Sequence, residues 1–301
     1  MTLVEVSGDR PARDRDRIRG IVEAVPGARV EFPATSGPAR ASVDGRLRWL
    51  HSWAAGVDGE EFARDPSRLP AGVVVTSSTG NGAIPLAEHA VMLTLMLNRD
   101  APAWAVAQRE HRWERRTHPE LLGSTMGILG LGNAGRELAV RAAAFGVRVV
   151  GLSRRGLPAA GVDTVHTPDE LARFLTGLDV LVVCAPATPA TRGLLGDEQF
   201  ALLNRGAHYV CVSRGGIADD EALLRALRSG QVGAAGLDAH AVEPLPPDSP
   251  FWDEPHVIVT PHNGATTPGT AARGLDIFCD NLRRFLAGSP LRNVVDFAHG
   301  Y

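Results

Sequence analysis

The sequence contains no lysine, and all of its 31 basic side chains are arginines. Because 34 acidic residues balance them to a net charge of −3, the chain lacks the basic excess typical of nucleic-acid binding. The longest apolar run, around residues 90–97, is too short to cross a membrane. We therefore expect neither a nucleic acid nor a membrane among the partners.

Cysteine is also scarce, and its three positions show no pairing. Cys184, Cys211 and Cys279 have neither C-x-x-C spacing nor the spacing of metal ligands. We expect no disulfide framework and no metal site, and scattered thiols fit a reducing compartment. The amino terminus lacks the apolar core of a secretory signal. The sequence therefore predicts a cytoplasmic location.

Strand and helix patterns indicate an α/β protein. From about residue 125, Val-rich strands alternate with helices over short connections, which is typical of a parallel, doubly wound sheet. The strands are predicted at 125–130, 147–153, 180–185, 207–213, 233–238 and 256–260, and the helices at 134–145, 168–175, 197–203 and 219–229.

The beginning and end of the chain predict another domain of the same class. An amphipathic helix is expected after Arg13, and the helix at 86–97 is apolar on nearly every side, which predicts burial between domains or subunits. An amphipathic helix at 275–288 is expected to return to this first domain. Short strands are predicted at 2–6, 28–32, 47–52 and 72–78.

The predicted architecture is thus two Rossmann-like domains with a cleft between them. The substrate-binding domain is discontinuous, with residues 1–98 and 276–301, and the dinucleotide-binding domain is 99–275.

The segment TMGILGLGNAGREL (125–138) carries the glycine spacing of a dinucleotide-binding turn. Gly130, Gly132 and Gly135 follow a predicted strand and precede a predicted helix. The first glycine permits the tight turn, the second lets the backbone approach a pyrophosphate, and the third allows helix and strand to pack closely. Asn133 and Ala134 open the helix, whose N–H groups can bind phosphate.

The residues after the next strand indicate which nicotinamide cofactor binds. Sites for NAD(H) usually carry an acidic residue here, but this strand ends in Ser153, Arg154 and Arg155. Guanidinium groups hold a 2′-phosphate by charge-assisted hydrogen bonds, whereas a carboxylate repels it. Two solvated arginines are the alternative interpretation. We expect NADP(H) to be preferred, with NAD(H) possible.

Three chemically active side chains each follow a predicted strand of the second domain. Arg214 follows VCVS, Glu243 lies beyond GAAGLD, and His262 follows VIVTP. Because ligands of open α/β sheets gather beyond the carboxyl ends of strands, the three can reach one site. A cation, a carboxylate and an imidazole can bind a 2-oxo or 2-hydroxy acid and move its proton. Packing or surface roles suffice for His51, His89, His111, His166, His208 and His256.

The blocks around these residues resemble the signatures of the D-isomer-specific 2-hydroxyacid dehydrogenases. They read R-G-G-I-x-D-x-E-A-L, L-D-x-x-x-x-E-P-L and T-P-H. WAAGVD (53–58) is similar to the substrate-carboxylate loop of that family, and GNGAIPLAEHA (80–90) and ATPATRGLLG (187–196) extend the match. The resemblance runs nearly unbroken from residue 47 to 290.

The resemblance implies a role for each matched position. Arg214 would pair with the substrate carboxylate, His262 would be the general acid and base, and Glu243 would orient the imidazole and favour its charged form. Backbone N–H groups of Ala55 and Gly56 would hold the carboxylate from the other domain. Cofactor contacts are assigned to Pro186, Thr191, Ser213, Asp238 and Gly264, with Asp238 meeting the nicotinamide amide.

The implied function is NADP(H)-dependent reduction of a small 2-oxo acid such as glyoxylate or hydroxypyruvate. The apolar helix at 86–97 and the resemblance together favour a homodimer. Two alternatives stay open, namely an enzyme that oxidises phosphite and a redox-sensing NAD(P)(H)-binding protein similar to the corepressors of this fold. Formate oxidation is disfavoured because formate enzymes of this fold carry glutamine where Glu243 stands.

Two departures from the family pattern concern the shape of the pocket. Only residues 33–46 separate two strands between which the family usually inserts a further strand and helix. Asn263 follows His262 where an apolar residue is usual. We therefore expect an abbreviated substrate domain.

Overall fold

A computed structural model of the chain describes residues 1–7 and 10–297. They form two compact units, the first from the described residues of Met1–Gly82 and Thr267–Tyr301, the second from Ala83–Thr266. The expected boundaries at residues 98 and 275 are displaced, because the apolar helix after Gly82 packs within the second unit and the last helix begins earlier than predicted. Positions 298–301 of the expected first domain lie outside the described residues.

The first unit is built on a five-stranded sheet with strand order β2-β1-β3-β4-β5. The pairs β1–β2 and β4–β5 are parallel, while β3 runs antiparallel to both of its neighbours. The strands are β1 (Thr2–Glu5), β2 (Ala28–Glu31), β3 (Ala39–Val43), β4 (Arg46–Ser52) and β5 (Val74–Ser77), and the helices are α1 (Ala12–Glu23), α2 (Glu61–Arg64) and α9 (Pro268–Leu286).

Strand β3 lies in the short segment that the sequence analysis left without structure. Val43 pairs with Arg46, so Asp44 and Gly45 form a two-residue hairpin turn, with φ of 48° and 75°. Positive φ at both positions is the geometry that Asp-Gly favours in hairpins. A hairpin reverses the chain without a crossover helix, so β3 is antiparallel, and the segment is abbreviated as expected.

Helices α1 and α9 cover one face of this sheet. Ile18 of α1 and Phe278 and Leu282 of α9 are fully buried against Val4 and Trp49. The periodicity predicted this face of α1. Helix α9 starts at Pro268 instead of 275, because the Thr267 side chain accepts a hydrogen bond from the N–H of Thr270 and caps it.

The second unit contains the predicted parallel sheet, with strand order β12-β11-β10-β9-β6-β7-β8. The strands are β6 (Thr125–Leu129), β7 (Arg148–Leu152), β8 (Thr164–His166), β9 (Val180–Val183), β10 (Ala207–Cys211), β11 (Val232–Leu237) and β12 (Val257–Val259), and the helices are α3 (Ala83–Asn98), α4 (Ala101–Arg109), α5 (Asn133–Ala144), α6 (Leu171–Leu175), α7 (Asp197–Ala201) and α8 (Asp220–Arg228). Strand β8 and helix α4 are the elements that the sequence analysis did not predict.

Helix α3 packs on α5 and on strands β10 and β11. Leu93 is fully buried and Leu97 is nearly so, whereas Met92 is 40% exposed. The helix is thus buried on the face toward the sheet, and its burial between domains or subunits stays a prediction.

None of the helices in residues 1–7 and 10–297 is long and apolar enough to cross a membrane. All three cysteines are thiols, and Cys211 and Cys279 are buried. Burial raises the pKa of Cys184 to about 12 and that of Cys211 to about 11, so both are protonated at neutral pH.

Candidate active site

The glycine fingerprint forms a tight turn between β6 and α5. Gly130 has a φ of 103°, and a methyl group there would lie 2.6 Å from the backbone nitrogen of Ala185. A methyl group on Gly135 would overlap the carbonyl oxygen of Gly130. Around Gly132, in contrast, no atom lies within 4 Å of where a methyl group would stand. The first and third glycines are therefore needed for packing, while the second leaves open space for a ligand.

The amino end of α5 faces this open space. Gly132 is the N-cap residue, and no side chain caps the helix. Asn133 and Ala134 form its first turn, where backbone N–H groups and the helix dipole favour an anion. The turn can therefore hold a pyrophosphate, as the sequence predicted.

The predicted phosphate-binding arginines follow strand β7, the neighbour of β6 in the sheet. Ser153 donates its backbone N–H to the carbonyl of His166 at 3.0 Å, and Arg154 and Arg155 are exposed just beyond it. Exposed guanidinium groups beside the fingerprint turn can reach a ribose phosphate.

Two further loops carry predicted cofactor residues. After β9, the hydroxyl of Thr191 donates to the carbonyl of Pro186 at 2.7 Å and accepts the N–H of Thr188 at 2.8 Å. These hydrogen bonds stabilise the loop, so the Thr191 hydroxyl has a structural role. After β10, the hydroxyl of Ser213 is buried without a hydrogen-bond partner. Such a hydroxyl is available to a polar ligand.

Arg214, Glu243 and His262 lie beyond the carboxyl ends of β10, β11 and β12, which are adjacent in the sheet. All three therefore lie beyond the carboxyl ends of neighbouring strands in the second unit, and their meeting at one substrate stays a prediction. Packing also joins two of the loops, because a methyl group on Gly215 would overlap the backbone of His240. This close approach places the residue after Arg214 against the loop that carries Glu243.

Glu243 and His262 form a direct pair. The Nδ1 atom of His262 lies 2.8 Å from Oε2 of Glu243, and Oε1 of Glu243 accepts the backbone N–H of His240 at 2.9 Å. Burial raises the pKa of Glu243, but the bonds from His240 and His262 outweigh it and leave that pKa below its ordinary value. The carboxylate is thus ionised at neutral pH, and its contact with Nδ1 fixes the orientation of the ring.

The backbone of His262 is in an unusual conformation. Its φ is 50°, in the left-handed region that residues other than glycine rarely adopt. Such a conformation persists only where surrounding contacts hold it. The side chain remains 38% exposed, so solvent reaches the imidazole.

Arg214 keeps its side chain close to its own loop. Its Nη1 atom donates to the carbonyl oxygen of Ser213 at 2.8 Å, and its own carbonyl oxygen lies 3.3 Å from the Cys211 thiol, which donates to it. A guanidinium carries five N–H donors in a planar fork, a geometry that matches a carboxylate.

The carboxylate of Asp238 binds the loop that carries His262. Its Oδ1 atom accepts the hydroxyl of Thr260 at 2.7 Å and the N–H of Asn263 at 3.1 Å, and Oδ2 accepts the N–H of Gly264 at 2.9 Å. The Asp238 side chain is fully buried. Its predicted contact with a nicotinamide amide stays a prediction, since its oxygens here serve residues 260–264.

His89 also approaches this carboxylate, although the sequence analysis gave it a packing or surface role. Its Nε2 atom lies 3.0 Å from Oγ1 of Thr260 and 3.4 Å from Oδ1 of Asp238. The signal that could have found it is its position in the helical block GNGAIPLAEHA, which belongs to the family resemblance. Helical position alone does not show which way a side chain points.

The predicted substrate loop belongs to the first unit, and hydrogen bonds from Ser78 and Thr79 hold its carbonyl groups. The carbonyl of Ala54 accepts the N–H of Ser78 at 3.0 Å, and that of Ala55 accepts the hydroxyl of Thr79 at 2.8 Å. Ala55 is exposed and Gly56 is partly exposed. With its carbonyls engaged inward, the loop can present backbone N–H groups to a carboxylate.

Within the described part of the chain, no group of three histidine, cysteine, aspartate or glutamate side chains is arranged to hold a metal ion.

Comparisons with known proteins indicate the family to which the chain belongs. Residues 91–264 match the family described as D-isomer specific 2-hydroxyacid dehydrogenase, NAD binding domain. Glyoxylate/hydroxypyruvate reductase A of Serratia proteamaculans is 35% identical over 260 residues, 85% of this chain and 82% of that protein. D-3-phosphoglycerate dehydrogenase of Mycobacterium bovis is 33% identical over 95% of this chain, which spans only 54% of that longer enzyme.

Solved structures agree over the full length. A D-isomer specific 2-hydroxyacid dehydrogenase from Xanthobacter autotrophicus Py2, in complex with NADPH and MES, has a TM-score of 0.82 and 34% identity and covers 99% of both chains. An NADPH-dependent glyoxylate/hydroxypyruvate reductase from Sinorhizobium meliloti, in complex with NADP and sulfate, has a TM-score of 0.80 and 29% identity over 99% of both chains. The chain therefore belongs to the D-isomer specific 2-hydroxyacid dehydrogenases, a family of oxidoreductases.

Proposed function

We propose that this chain reduces a small 2-oxo acid with NADP(H), using His262 as general acid and base, Glu243 to orient it and Arg214 to bind the substrate carboxylate. The observation that carries the proposal is the 2.8 Å pair of Glu243 and His262, together with Arg214 at the end of the neighbouring strand β10. This arrangement supplies both functions that a 2-oxo acid needs, a fixed cation and a proton donor.

The residues present fit a nicotinamide dinucleotide. The open space at Gly132, the uncapped amino end of α5 and the buried, unpartnered hydroxyl of Ser213 all suit a polar ligand. Arg154 and Arg155 favour NADP(H) over NAD(H), and two similar structures hold NADPH or NADP. When bound, the reduced cofactor supplies the hydride for the 2-oxo carbon.

The protein side of the reaction follows from the chemistry of the three residues. Arg214 binds the carboxylate of the substrate and draws electron density from the adjacent carbonyl. Nε2 of His262 donates a proton to the carbonyl oxygen as that oxygen gains negative charge, and takes it back in the reverse reaction. Glu243 holds the ring by Nδ1 through both steps.

The substrate is proposed to be of the glyoxylate or hydroxypyruvate type. The name of the Serratia relative and the anchored loop at Ala55 and Gly56 support this class. A panel of glyoxylate, hydroxypyruvate, pyruvate, phosphite and formate, each assayed with NADPH or NADP as the reaction requires, tests it. Oxidation of phosphite would favour the anion-oxidising alternative. Tight NADPH binding with no turnover in the whole panel would favour the redox-sensing one.

The role of His262 is tested by His262→Ala. We expect kcat to fall about 10²- to 10⁴-fold, as for loss of a general acid, while the Kd for NADPH from fluorescence titration stays within a factor of about two. His256→Ala is the matched control, since His256 is exposed at the amino end of the same strand. An equal loss of NADPH affinity would assign His262 a structural role and contradict the proposal.

The cofactor preference is tested by replacing Arg154 and Arg155 together with alanine. Charge-assisted bonds to a phosphate contribute about 1.5–3 kcal/mol, so the KM for NADPH should rise about tenfold or more while that for NADH changes little. Arg148→Ala, at the opposite end of β7, is the control. Unchanged discrimination between the cofactors would remove the phosphate assignment.

A homodimer is proposed through helix α3 and the segment that follows it. Trp113 is 94% exposed, and Leu122, Trp104 and Met92 are 70%, 45% and 40% exposed. Such a concentration of exposed apolar side chains is typical of an interface. Trp113→Asp should shift the species seen by analytical ultracentrifugation toward monomer, whereas Leu157→Asp, an exposed apolar position elsewhere, should not. A monomeric wild-type protein would end this proposal.

A cytoplasmic location is proposed from the cysteines, all three of which are thiols in the described residues. Fractionation of the source cells tests it.

A further inference from the structure

His89 is the side chain whose placement the proposed reaction does not explain. It lies on α3, more than 170 residues before the loop it contacts, and its side chain is only 13% exposed. The imidazole is turned toward Thr260 and Asp238, at 3.0 Å and 3.4 Å from Nε2. A purely apolar packing role would not require a ring nitrogen at this point.

The direction of the hydrogen bonds follows from the number of available protons. Thr260 has one hydroxyl proton, and its oxygen lies 2.7 Å from the carboxylate of Asp238, which can only accept. Thr260 is therefore left to accept a proton from Nε2 of His89. Burial raises the pKa of Asp238, but the bonds from His89, Thr260 and the N–H of Gly264 outweigh it and bring that pKa to about 2. The carboxylate is thus charged, and both of its oxygens already accept hydrogen bonds.

The same carboxylate holds the residues on both sides of His262. Asn263 and Gly264 donate their N–H groups to it, and Thr260 donates its hydroxyl. Gly264 is packed so closely that a methyl group would lie 2.8 Å from Asp238 Oδ2 and 3.1 Å from the ring of His89. Because His262 itself has a φ of 50°, its backbone needs such an external clamp.

We propose that His89 is a positioning residue for His262, acting through Thr260 and Asp238 to hold the loop 260–264 in the conformation in which the imidazole meets Glu243. The proposal rests on the function proposed above for His262. It assigns to helix α3 a direct part in the geometry of the proton donor, with no contact between His89 and the substrate.

The variant His89→Leu removes the ring nitrogen at similar volume, and His89→Gln keeps an N–H donor near the position of Nε2. We expect kcat of His89→Leu to fall about tenfold, which corresponds to about 1.4 kcal/mol, with KM for the 2-oxo acid and Kd for NADPH nearly unchanged. His89→Gln should stay within about threefold of wild type, since it restores the hydrogen bond.

A second readout does not depend on activity. The N–H groups of Asn263 and Gly264 are protected by their bonds to Asp238, so hydrogen exchange of the peptide spanning 260–266 reports the clamp directly. In the apo protein, His89→Leu should accelerate this exchange about tenfold, and His89→Gln should not. Thr260→Val should have the same effect as His89→Leu, and the double variant should be no worse than either single variant, because both break one chain of bonds.

Two matched controls come from the amino ends of the strands of the same sheet, opposite the ends that carry the candidate site. His208 is a partly buried histidine at the start of β10, and Asp179 accepts the N–H of Thr125 and the amide of Asn204, both at 2.8 Å. His208→Gln and Asp179→Asn should leave both the kcat and the exchange of 260–266 unchanged. If a control variant lowered kcat or accelerated the exchange of 260–266 as much as His89→Leu does, the whole unit would be loosened and the proposal would be overturned.

The two proposals fail in different ways. If the protein reduces no 2-oxo acid but His89→Leu accelerates exchange of 260–266 with rescue by glutamine, the positioning role stands and the reaction is wrong. If wild type is active and His89→Leu changes neither kcat nor exchange, His89 is a packing residue and the positioning role is refuted.

Discussion

Acid should destabilise the first unit through one buried histidine. His51 is fully buried in β4, where Nδ1 lies 2.8 Å from Oγ1 of Thr76 and Nε2 lies 3.2 Å from Oγ of Ser78. Trp49 donates its indole N–H to the same Thr76 oxygen at 2.9 Å. The single Thr76 hydroxyl proton can go to Nδ1 of His51 or, at 3.5 Å, to the carbonyl of Leu50, and the neutral ring has a hydrogen-bond partner at both nitrogens in either case.

The magnitude follows from the pKa of this histidine. Burial, with a smaller contribution from the positive charge of Arg10, lowers the pKa of His51 from 6.5 to about 3. Between these values the unfolded chain binds a proton that the folded chain does not, so stability falls as the pH falls. Each pH unit below 6.5 costs about 1.4 kcal/mol. From pH 8 to pH 5 the free energy of unfolding should drop by about 2 kcal/mol from His51 alone.

The assay is urea unfolding at pH 8 and pH 5, followed by tryptophan fluorescence. His51→Asn removes the titration, so its difference between the two pH values should be smaller than that of wild type by about 2 kcal/mol. Leu282→Ala is the matched control, because it weakens the core of the same unit without a titratable group. It should keep the wild-type pH dependence. If His51→Asn shows the same pH dependence as wild type, the reasoning on burial is refuted.

Three further predictions concern packing and capping. Gly135→Ala should abolish NADPH binding or prevent folding, because its methyl group would overlap the carbonyl oxygen of Gly130. Circular dichroism reports folding and fluorescence titration reports NADPH binding, so the two outcomes can be separated. Normal NADPH binding would contradict the close approach. Asp219→Ala should lower stability by about 1 kcal/mol in thermal unfolding, since the Asp219 carboxylate caps α8, and Asp219→Asn should not. Asn281→Leu should lower the free energy of unfolding by about 2–5 kcal/mol, because the buried Asn281 side chain donates to the carbonyl of Arg292 and accepts its N–H. A loss below about 1 kcal/mol would show that water replaces these hydrogen bonds.

The hairpin of β3 shows how a local signal can be missed. Asp44-Gly45 between two runs that contain apolar residues is a strong hairpin signal, so this turn could have been predicted from the local sequence. The consequence is visible on the sheet, where Arg29 of β2 and Arg40 of β3, on the two sides of β1, are both exposed, as in a sheet with one solvated face. Residues 33–46 thus replace a crossover by a turn.

The candidate site also contains residues that the local sequence predicts and one that it does not. Gly130, Gly135, Glu243 and His262 stand in patterns whose spacing is local, so their chemistry could be predicted from the residues. His89 and its bond to Thr260 could not, because 171 residues separate them and no periodicity tells which strand end a helix side chain will meet.

The order of residues along the chain was sufficient to define the alternation of strands and helices, the dinucleotide turn and the residues proposed as acid, base and cation. These depend on short-range sterics and on side-chain chemistry, which each segment carries with it. Only the tertiary structure decided that α3 belongs with the second unit, that β3 runs backward, and that Asp238 holds the loop of the proposed proton donor. Those features arise from the burial of apolar faces and charged groups against distant partners, and such pairings exist only once the chain has folded.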